Sequence, residues 1–182
     1  MTDEVRIQAE VGGAARIDPG NGVQRPGYMI RDFTLNSSSG EEVRISSFRG
    51  SDNLVLVFPG HSKAMRAFLE DAATHSRDLA NQQAAVIAVL PDDGKEHAVP
   101  NQGASQILEL YDETLSVHRR SGAVDEDGRL VPVIYVTDRF GEIVATHLVE
   151  GDASPPSLEE ILRSLEFINH QCPECEPPEW PR

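Results

Sequence analysis

The stretch Leu54-Val55-Leu56-Val57-Phe58 is a continuous apolar run that ends at Pro59-Gly60. Its length and its β-branched residues are typical of a central strand that is buried on both faces. Between residues 62 and 79, apolar residues recur at helical spacing, which predicts one helix of about five turns. A second apolar strand, residues 85–90, follows this helix. The succession predicts a βαβ unit with parallel strands and a right-handed crossover.

Further strands and one helix are predicted on both sides of this unit. Alternating residues between 32 and 45 indicate a short hairpin ahead of it. Residues 130–138 and 142–147 indicate a second hairpin with a tight turn between its strands. Ser157 is an expected N-cap, with Glu160 three positions later, for a terminal helix over residues 158–168.

The segment between residues 91 and 130 gives weaker signals. Residues 104–110 and 115–120 suggest short helical or mixed segments. His75, His97, His118 and His147 share no ligand spacing, and we interpret them as ordinary surface or loop residues.

Composition narrows the function classes. The chain has 182 residues, which suits one domain with its own core. Its formal net charge of -14 repels phosphate backbones and anionic lipids, so we expect neither nucleic acid nor a membrane as a partner. The acidic start of the chain and the lack of a long apolar run predict a cytoplasmic protein.

Two groups of motifs resemble a known family. The first group lies between Pro26 and Phe58 and includes Asp32-Phe33-Thr34-Leu35 and Phe48-Arg49-Gly50. The second group is Val131-Pro132, followed by a strand and hairpin that run to Ile143. In this order they resemble the alkyl hydroperoxide reductase/thiol-specific antioxidant (AhpC/TSA, peroxiredoxin-like) group of the thioredoxin superfamily. The resemblance implies an α/β, thioredoxin-like fold with a central mixed sheet flanked by helices, and a cis bond at Val131-Pro132.

The resemblance also implies where the chemistry would lie. In that family the reactive cysteine follows the first buried strand, where the helix dipole lowers the pKa of a thiol. Here this place is segment 59–66, whose candidate site residues are Pro59, Gly60, His61, Ser62, Lys63 and Arg66. The cysteine positions of the family match Lys63 and Arg66, so we expect no ordinary peroxidase activity. Pro132 matches the residue that lines the family's groove.

The residues of segment 59–66 allow two interpretations. Lys63 and Arg66 at a helix start could form a site for an anion or a carboxylate, or they could be solvated basic side chains on an exposed turn. His61 and Ser62 could act as a donor pair, although an N-cap at Ser62 is the simpler interpretation.

Cys172 and Cys175, in Cys172-Pro173-Glu174-Cys175, are the chain's two cysteines. A C-x-x-C pair can close a disulfide, and the same spacing forms half of a zinc site, with His170 as a third candidate ligand. The end of the preceding helix and the neighbouring glutamates disfavour a thiolate, which makes a slow nucleophile. An incidental disulfide in a loose tail is the plainest alternative.

These observations lead to three hypotheses. The first is a thiol-disulfide oxidoreductase-like protein whose redox capacity lies in Cys172 and Cys175, with a tail that folds back onto segment 59–66. The second is a catalytically silent binding module, and the third is a dimer bridged by zinc through the tail. We expect an N-terminal extension (1–22), a thioredoxin-like domain (23–170) and an acidic tail (171–182). We expect no cofactor, a protein or thiol partner, and leave a homodimer open.

Overall fold

The structure is a computed structural model that describes residues 22–92, 107–149 and 153–170. Within these residues, one mixed sheet carries helices on both of its faces. Its strands are β1 (Thr34–Ser37), β2 (Glu42–Arg44), β3 (Asn53–Phe58), β4 (Ala84–Pro91), β5 (Ile107–Asp112), β6 (Val133–Thr137) and β7 (Ile143–Leu148). The helices are α1 (Lys63–Thr74), α2 (Ser76–Asn81), α3 (Ser116–Arg120) and α4 (Leu158–Asn169), and a 3-10 helix covers Ile45–Phe48.

Strand β3 lies inside the sheet, whose strand order is β2-β1-β5-β4-β3-β6-β7. It pairs parallel with β4 and antiparallel with β6, so that Leu56 lies opposite Ile87 on one side and Tyr135 on the other. Every residue of β3 is buried. The apolar run is therefore the central strand that its composition predicts, and the α/β, thioredoxin-like fold with a mixed sheet is confirmed.

Successive side chains of β3 point into two different cores. Val55 and Val57 pack with apolar residues of α1, α2 and α4. Leu56 and Phe58 pack on the other face with Val117 of α3 and with the chain that precedes β1. Because side chains alternate along a strand, one apolar run supplies both cores.

The helix predicted over residues 62–79 is interrupted. α1 ends at Thr74, and α2 begins at Ser76 after His75. The hydroxyl of Thr74 donates to the carbonyl oxygen of Asp71 at 2.8 Å, and Nδ1 of His75 lies 3.0 Å from the same oxygen. These local side-chain bonds compete with the helical pattern, and the prediction of one continuous helix is wrong.

Three other predictions concern the second half of the chain. Residues 107–112 form β5 instead of a helical or mixed segment, because they pair in parallel register with β4. Residues 115–120 do contain the short helix α3. For α4 the N-cap is confirmed: the hydroxyl of Ser157 accepts from the backbone of Glu160, and the Glu160 side chain accepts from the backbone of Ser157.

The ends of the chain are mostly outside the described residues. The predicted extension (1–22) is described only at Gly22, and the tail (171–182) lies wholly outside. Across the described ranges, no helix is both long enough and apolar enough to cross a bilayer.

Candidate functional site

Segment 59–66 connects β3 to α1 through a tight turn. Pro59 and Gly60 are buried, and the backbone N–H of Ser62 donates to the carbonyl oxygen of Pro59 at 3.1 Å. Gly60 has a φ of +53°, and a Cβ built on it would lie 3.3 Å from Cβ of Leu130. Both the backbone angle and the close neighbour favour glycine here. The turn is thus fixed against the chain that leads into β6.

Ser62 caps α1, as its position in the sequence predicts. Its hydroxyl accepts from the backbone N–H of Met65 at 3.3 Å. Lys63 and Arg66 are exposed, and the first turn of α1 holds no acidic residue. Two cations therefore stand at the positive end of the helix dipole, an arrangement that an anion would stabilise.

Pro132 lies beside this turn. Its Cγ is 3.7 Å from the position that a Cβ on Gly60 would occupy. The peptide bonds of the described residues are all trans, including Val131-Pro132, so the implied cis bond is wrong. The trans form is the lower-energy isomer of an X-Pro bond by about 0.5–1 kcal/mol. The structure thus brings Pro132 to segment 59–66 without the implied backbone geometry.

A buried histidine lies behind the strand that leads into the site. His118 is 0% exposed, and the sequence-based interpretation of it as a surface or loop residue is wrong. Its Nδ1 lies 2.8 Å from Oδ2 of Asp112, which is 1% exposed. Its ring makes an edge-to-face contact with Phe58, at 5.3 Å between centroids. The residue directly before Pro59 is therefore packed against a buried His-Asp pair.

Asp112 is held by several donors. Oδ2 also accepts from the backbone N–H of His118, and Oδ1 accepts from that of Ser116. Burial alone would raise the pKa of this carboxyl, but the hydrogen bonds from His118 outweigh it and lower the pKa. The carboxylate thus orients α3, and through His118 it supports Phe58.

Tyr135, a residue of β6, also contacts Phe58 and so belongs to the same buried cluster as Phe58, Asp112 and His118. Its ring meets Phe58 edge to face at 6.1 Å, and its hydroxyl donates to the carbonyl oxygen of Ser121 at 2.5 Å. The hydroxyl also accepts from the backbone N–H of Gln24. The segment ahead of β1 is thereby tied to the strand next to β3.

The sequence contains few signals that predict the burial of Asp112 and His118 next to Phe58. Asp112 and His118 are polar, and neither sits in an apolar run. One usable signal is that Asp112 follows the apolar residues of β5 and precedes a short helix, where a carboxylate caps backbone N–H groups. The partner of that carboxylate becomes visible only when α3 is folded against it.

Of the three candidate site residues near the end of the sequence, Cys172, Cys175 and His170, only His170 lies within the described residues. Cys172 and Cys175 lie outside the described residues, whereas His170 is exposed at the end of α4. Its Nδ1 lies 2.7 Å from the carbonyl oxygen of Glu166. Within residues 22–92, 107–149 and 153–170, no group of three or more His, Cys, Asp or Glu side chains is arranged to hold a metal.

Several solved peroxiredoxin structures share the fold of this chain. The reduced 2-Cys peroxiredoxin of Plasmodium vivax has a TM-score of 0.67 at 16% identity, over 84% of this chain and 89% of that one. AhpC of Mycobacterium tuberculosis has a TM-score of 0.67 at 13% identity, over 84% and 98%. The yeast mitochondrial 1-Cys peroxiredoxin has a TM-score of 0.68 at 14% identity, over 81% and 77%. At such low identities these likenesses show the fold alone.

Comparison at the level of sequence gives the family. No curated protein matches the chain. The model of the AhpC/TSA family, however, matches residues 26–146, a range that includes β3, segment 59–66, the Asp112-His118 pair and Pro132. The chain therefore belongs to the AhpC/TSA family.

Proposed function

We propose that this chain is a thiol-disulfide exchange protein on a peroxiredoxin-type scaffold, with Cys172 and Cys175 as its redox pair. One observation carries the proposal: segment 59–66 contains no cysteine, while the chain's two cysteines stand in C-x-x-C spacing just after α4. A thiol is required for nucleophilic attack on a disulfide or a peroxide. Lys63 and Arg66 cannot supply one, so redox chemistry by this chain has to use the tail.

The test is catalysis of disulfide reduction in the presence of dithiothreitol, with insulin as the substrate. We expect the wild type to accelerate the reaction and the Cys172→Ser/Cys175→Ser double variant not to. Each single variant should trap a mixed disulfide with the substrate, because the second thiol that resolves it is missing. The proposal is wrong if the wild type gives no acceleration or if the double variant keeps it. Hydrogen peroxide should be reduced slowly, since the activated position holds no thiol.

A binding module is the second candidate, and the geometry of segment 59–66 favours it. Exposed Lys63 and Arg66 beside the N-terminus of α1 suit a carboxylate or another anion. Calorimetry with an acidic peptide should then show binding that Lys63→Ala/Arg66→Ala weakens and that Cys172→Ser does not. Equal affinity of the wild type and the double alanine variant would contradict it.

A zinc-bridged dimer is the third candidate, and it depends on His170. The contact of Nδ1 with the Glu166 carbonyl leaves Nε2 to bind a metal, close in sequence to Cys172 and Cys175. Two such tails could complete a tetrahedral set of thiolate and imidazole ligands. Metal analysis of protein purified without chelators tests this, and protein without zinc would contradict it. The cytoplasm stays our predicted location for all three candidates.

A further inference from the structure

Helix α4 exposes an aromatic side chain on its outer face. Phe167 is 63% exposed, more than any other large apolar side chain of the described residues. The buried stripe of the same helix faces the core and consists of Leu158, Ile161, Leu165 and Ile168. At 3.6 residues per turn, Phe167 points away from this stripe and into solvent. Exposed aromatic side chains are typical anchors of binding surfaces.

A groove of about 440 Å³ lies next to Phe167, between α2 and α4. It is lined by Asp78 and Asn81 of α2 and by Glu159, Leu162, Arg163 and Glu166 of α4. Arg163 is four residues before Phe167, so the two side chains are neighbours on the surface of the helix. Leu162 is half-buried and gives the groove an apolar part. The groove and Phe167 therefore form one continuous surface, which we call the α2-α4 surface.

The walls of the groove are held together at one end by three amide side chains. Nδ2 of Asn53 donates to the carbonyl oxygen of Gln82 at 3.1 Å and to Oδ1 of Asn169 at 2.9 Å. Nδ2 of Asn169 donates to the same carbonyl oxygen and to the Gln82 side chain. Because Gln82 follows α2 and Asn169 ends α4, these bonds fix both helices beside the first residue of β3. A partner thus meets a preformed groove, which lowers the cost of ordering it.

The groove carries an excess of negative charge. Glu159 and Arg163 pair with each other at 2.5 Å, so their charges cancel. Asp78 and Glu166 are exposed, and no other described residue forms an ion pair or a side-chain hydrogen bond with either carboxylate. The chain's net charge of -14 adds to the negative potential around them. The charge of the α2-α4 surface therefore complements a cation.

We propose that the α2-α4 surface binds a cationic segment of a partner protein. A Lys or Arg side chain of that segment enters the groove, where its charged head group pairs with Asp78 and Glu166 and its aliphatic stem packs on Leu162. An apolar side chain next to it packs on Phe167. This interaction is separate from the redox chemistry and from segment 59–66, and it does not depend on either.

Charge excludes two other occupants of this surface. The last residues of the chain include Glu174, Glu176 and Glu179, which have the same sign of charge as the groove. A second copy of the chain carries the same net charge of -14. Both are repelled, whereas a basic segment is attracted.

Fluorescence anisotropy with two labelled peptides tests the kind of partner. The cationic probe is a twelve-residue peptide of three Leu-Arg-Ala-Lys repeats, and the anionic probe carries Glu in place of Arg and Lys. We expect the cationic peptide to bind at low salt with a Kd of about 100 μM or lower, and the affinity to fall as salt screens the charges. The anionic peptide should bind at least about tenfold more weakly.

Two matched double variants test the location. Asp78→Asn/Glu166→Gln removes the two unpaired carboxylates and should weaken binding of the cationic peptide about tenfold. Its control, Glu41→Gln/Glu126→Gln, removes two exposed carboxylates outside the surface and changes the net charge equally, so it should weaken binding less than about twofold. Phe167→Ala should weaken binding at least about threefold. Urea midpoints of all variants confirm that they are folded.

Several outcomes would overturn the proposal. Equal weakening by the two double variants would mean that binding follows net charge alone. Unchanged affinity of Asp78→Asn/Glu166→Gln, equal binding of the two peptides, or no binding of the cationic peptide at about 1 mM would also overturn it. Unchanged affinity of Phe167→Ala would remove the apolar contact.

Nuclear magnetic resonance spectra of the ¹⁵N-labelled protein provide a second measurement of the location. On addition of the cationic peptide, we expect the largest backbone shift changes within residues 78–82 and 159–167. Changes confined to other residues, those of segment 59–66 included, would overturn the assignment of the surface. None of these results depends on Cys172 or Cys175, so they remain distinguishable from a failure of the proposed redox function.

Discussion

A hydrogen bond joins Asp112 and His118 inside the core, where the ring of His118 packs against Phe58. Replacing Asp112 with alanine leaves the Nδ1 of His118 and two backbone N–H groups without their acceptor. A buried donor left without its acceptor costs about 1–3 kcal/mol, and His118 contributes two such donors, so we expect the free energy of unfolding of Asp112→Ala, measured in urea, to fall by about 2 kcal/mol or more.

The matched control for this variant is Asp127→Ala. Asp127 also pairs with a basic side chain, Arg129, but both are largely exposed. Such a pair contributes about 0–1 kcal/mol, so the loss should be small. Similar losses in Asp112→Ala and Asp127→Ala would contradict the role given to the buried pair.

His147 makes stability depend on pH. Partial burial lowers its pKa from the usual 6.5, although Glu160 opposes the shift. As the pH falls through 6.5, the unfolded chain therefore takes up a proton before the folded protein does, and stability is lost. We expect the wild type to lose more stability between about pH 7.5 and about pH 5.5 than His147→Gln does, measured by denaturant midpoints.

His75, whose pKa is shifted in the opposite direction to that of His147, is the control for this measurement. Hydrogen bonding to the Asp71 backbone raises the pKa of exposed His75, so its contribution grows as the pH falls. His75→Gln should therefore not reduce the acid loss. An equal reduction by both variants would show that His147 has no special part in it.

For single residues, the sequence predicts those roles that depend on groups a few positions away along the chain. Ser62 and Ser157 are recognisable as N-caps because the groups they bond are three residues away. His118 was missed because its burial depends on Phe58, which reaches it only through the fold. The role of Cys172 and Cys175 remains a prediction.

Helix α4 begins with a capping box, and its contribution can be measured. Ser157→Ala removes the acceptor for the Glu160 backbone and should lower the free energy of unfolding by about 1 kcal/mol. Exposed Ser154, just ahead of the helix, provides the control: Ser154→Ala should change stability by less than about 0.5 kcal/mol. Urea unfolding of the two variants decides, and equal effects would argue against the cap.

The buried stripe of α4 should contribute more than its cap. Leu165 is 0% exposed in the core beneath β3, and we expect Leu165→Ala to cost about 2–5 kcal/mol through lost burial and a cavity. Phe167, two residues later, is 63% exposed, so Phe167→Ala should be nearly neutral. A loss for Phe167→Ala as large as that for Leu165→Ala would mean that another surface covers Phe167.

Elements were predictable where their periodicity was uninterrupted. The apolar run of β3 and the stripe of α4 gave their type and nearly their bounds. The break at His75 was not predicted, because the apolar stripe continues across it to Leu79. β5 was misread because pairing with β4, and not a pattern of its own, makes it a strand.

The net charge of the whole molecule predicts a response to salt. Charges of one sign repel each other more in the compact state than in the expanded chain. We expect the Tm to rise as sodium chloride increases from about 0.02 M to about 0.2 M, because the screening length shortens over this range. Equal concentrations of a neutral osmolyte serve as the control, and a Tm that falls or does not change would contradict the expectation.

For the whole molecule, the family and the fold could be predicted from the sequence because several motifs occur in the right order, from Asp32 to Ile143. The direction of α4 relative to β3 was not accessible. It depends on the hydrogen bond between Asn169, the last residue of α4, and Asn53, the first residue of β3.

The antiparallel pairing of β3 with β6 also governs the order in which a nascent chain can fold. Leu56 cannot pair with Tyr135 until that residue, which is translated much later, has been synthesised. At ~5–20 residues per second, the most apolar strand of the protein keeps one unpaired edge for several seconds on the ribosome. Chaperone dependence during synthesis should therefore be greatest in that interval, and it should end once β6 has left the exit tunnel.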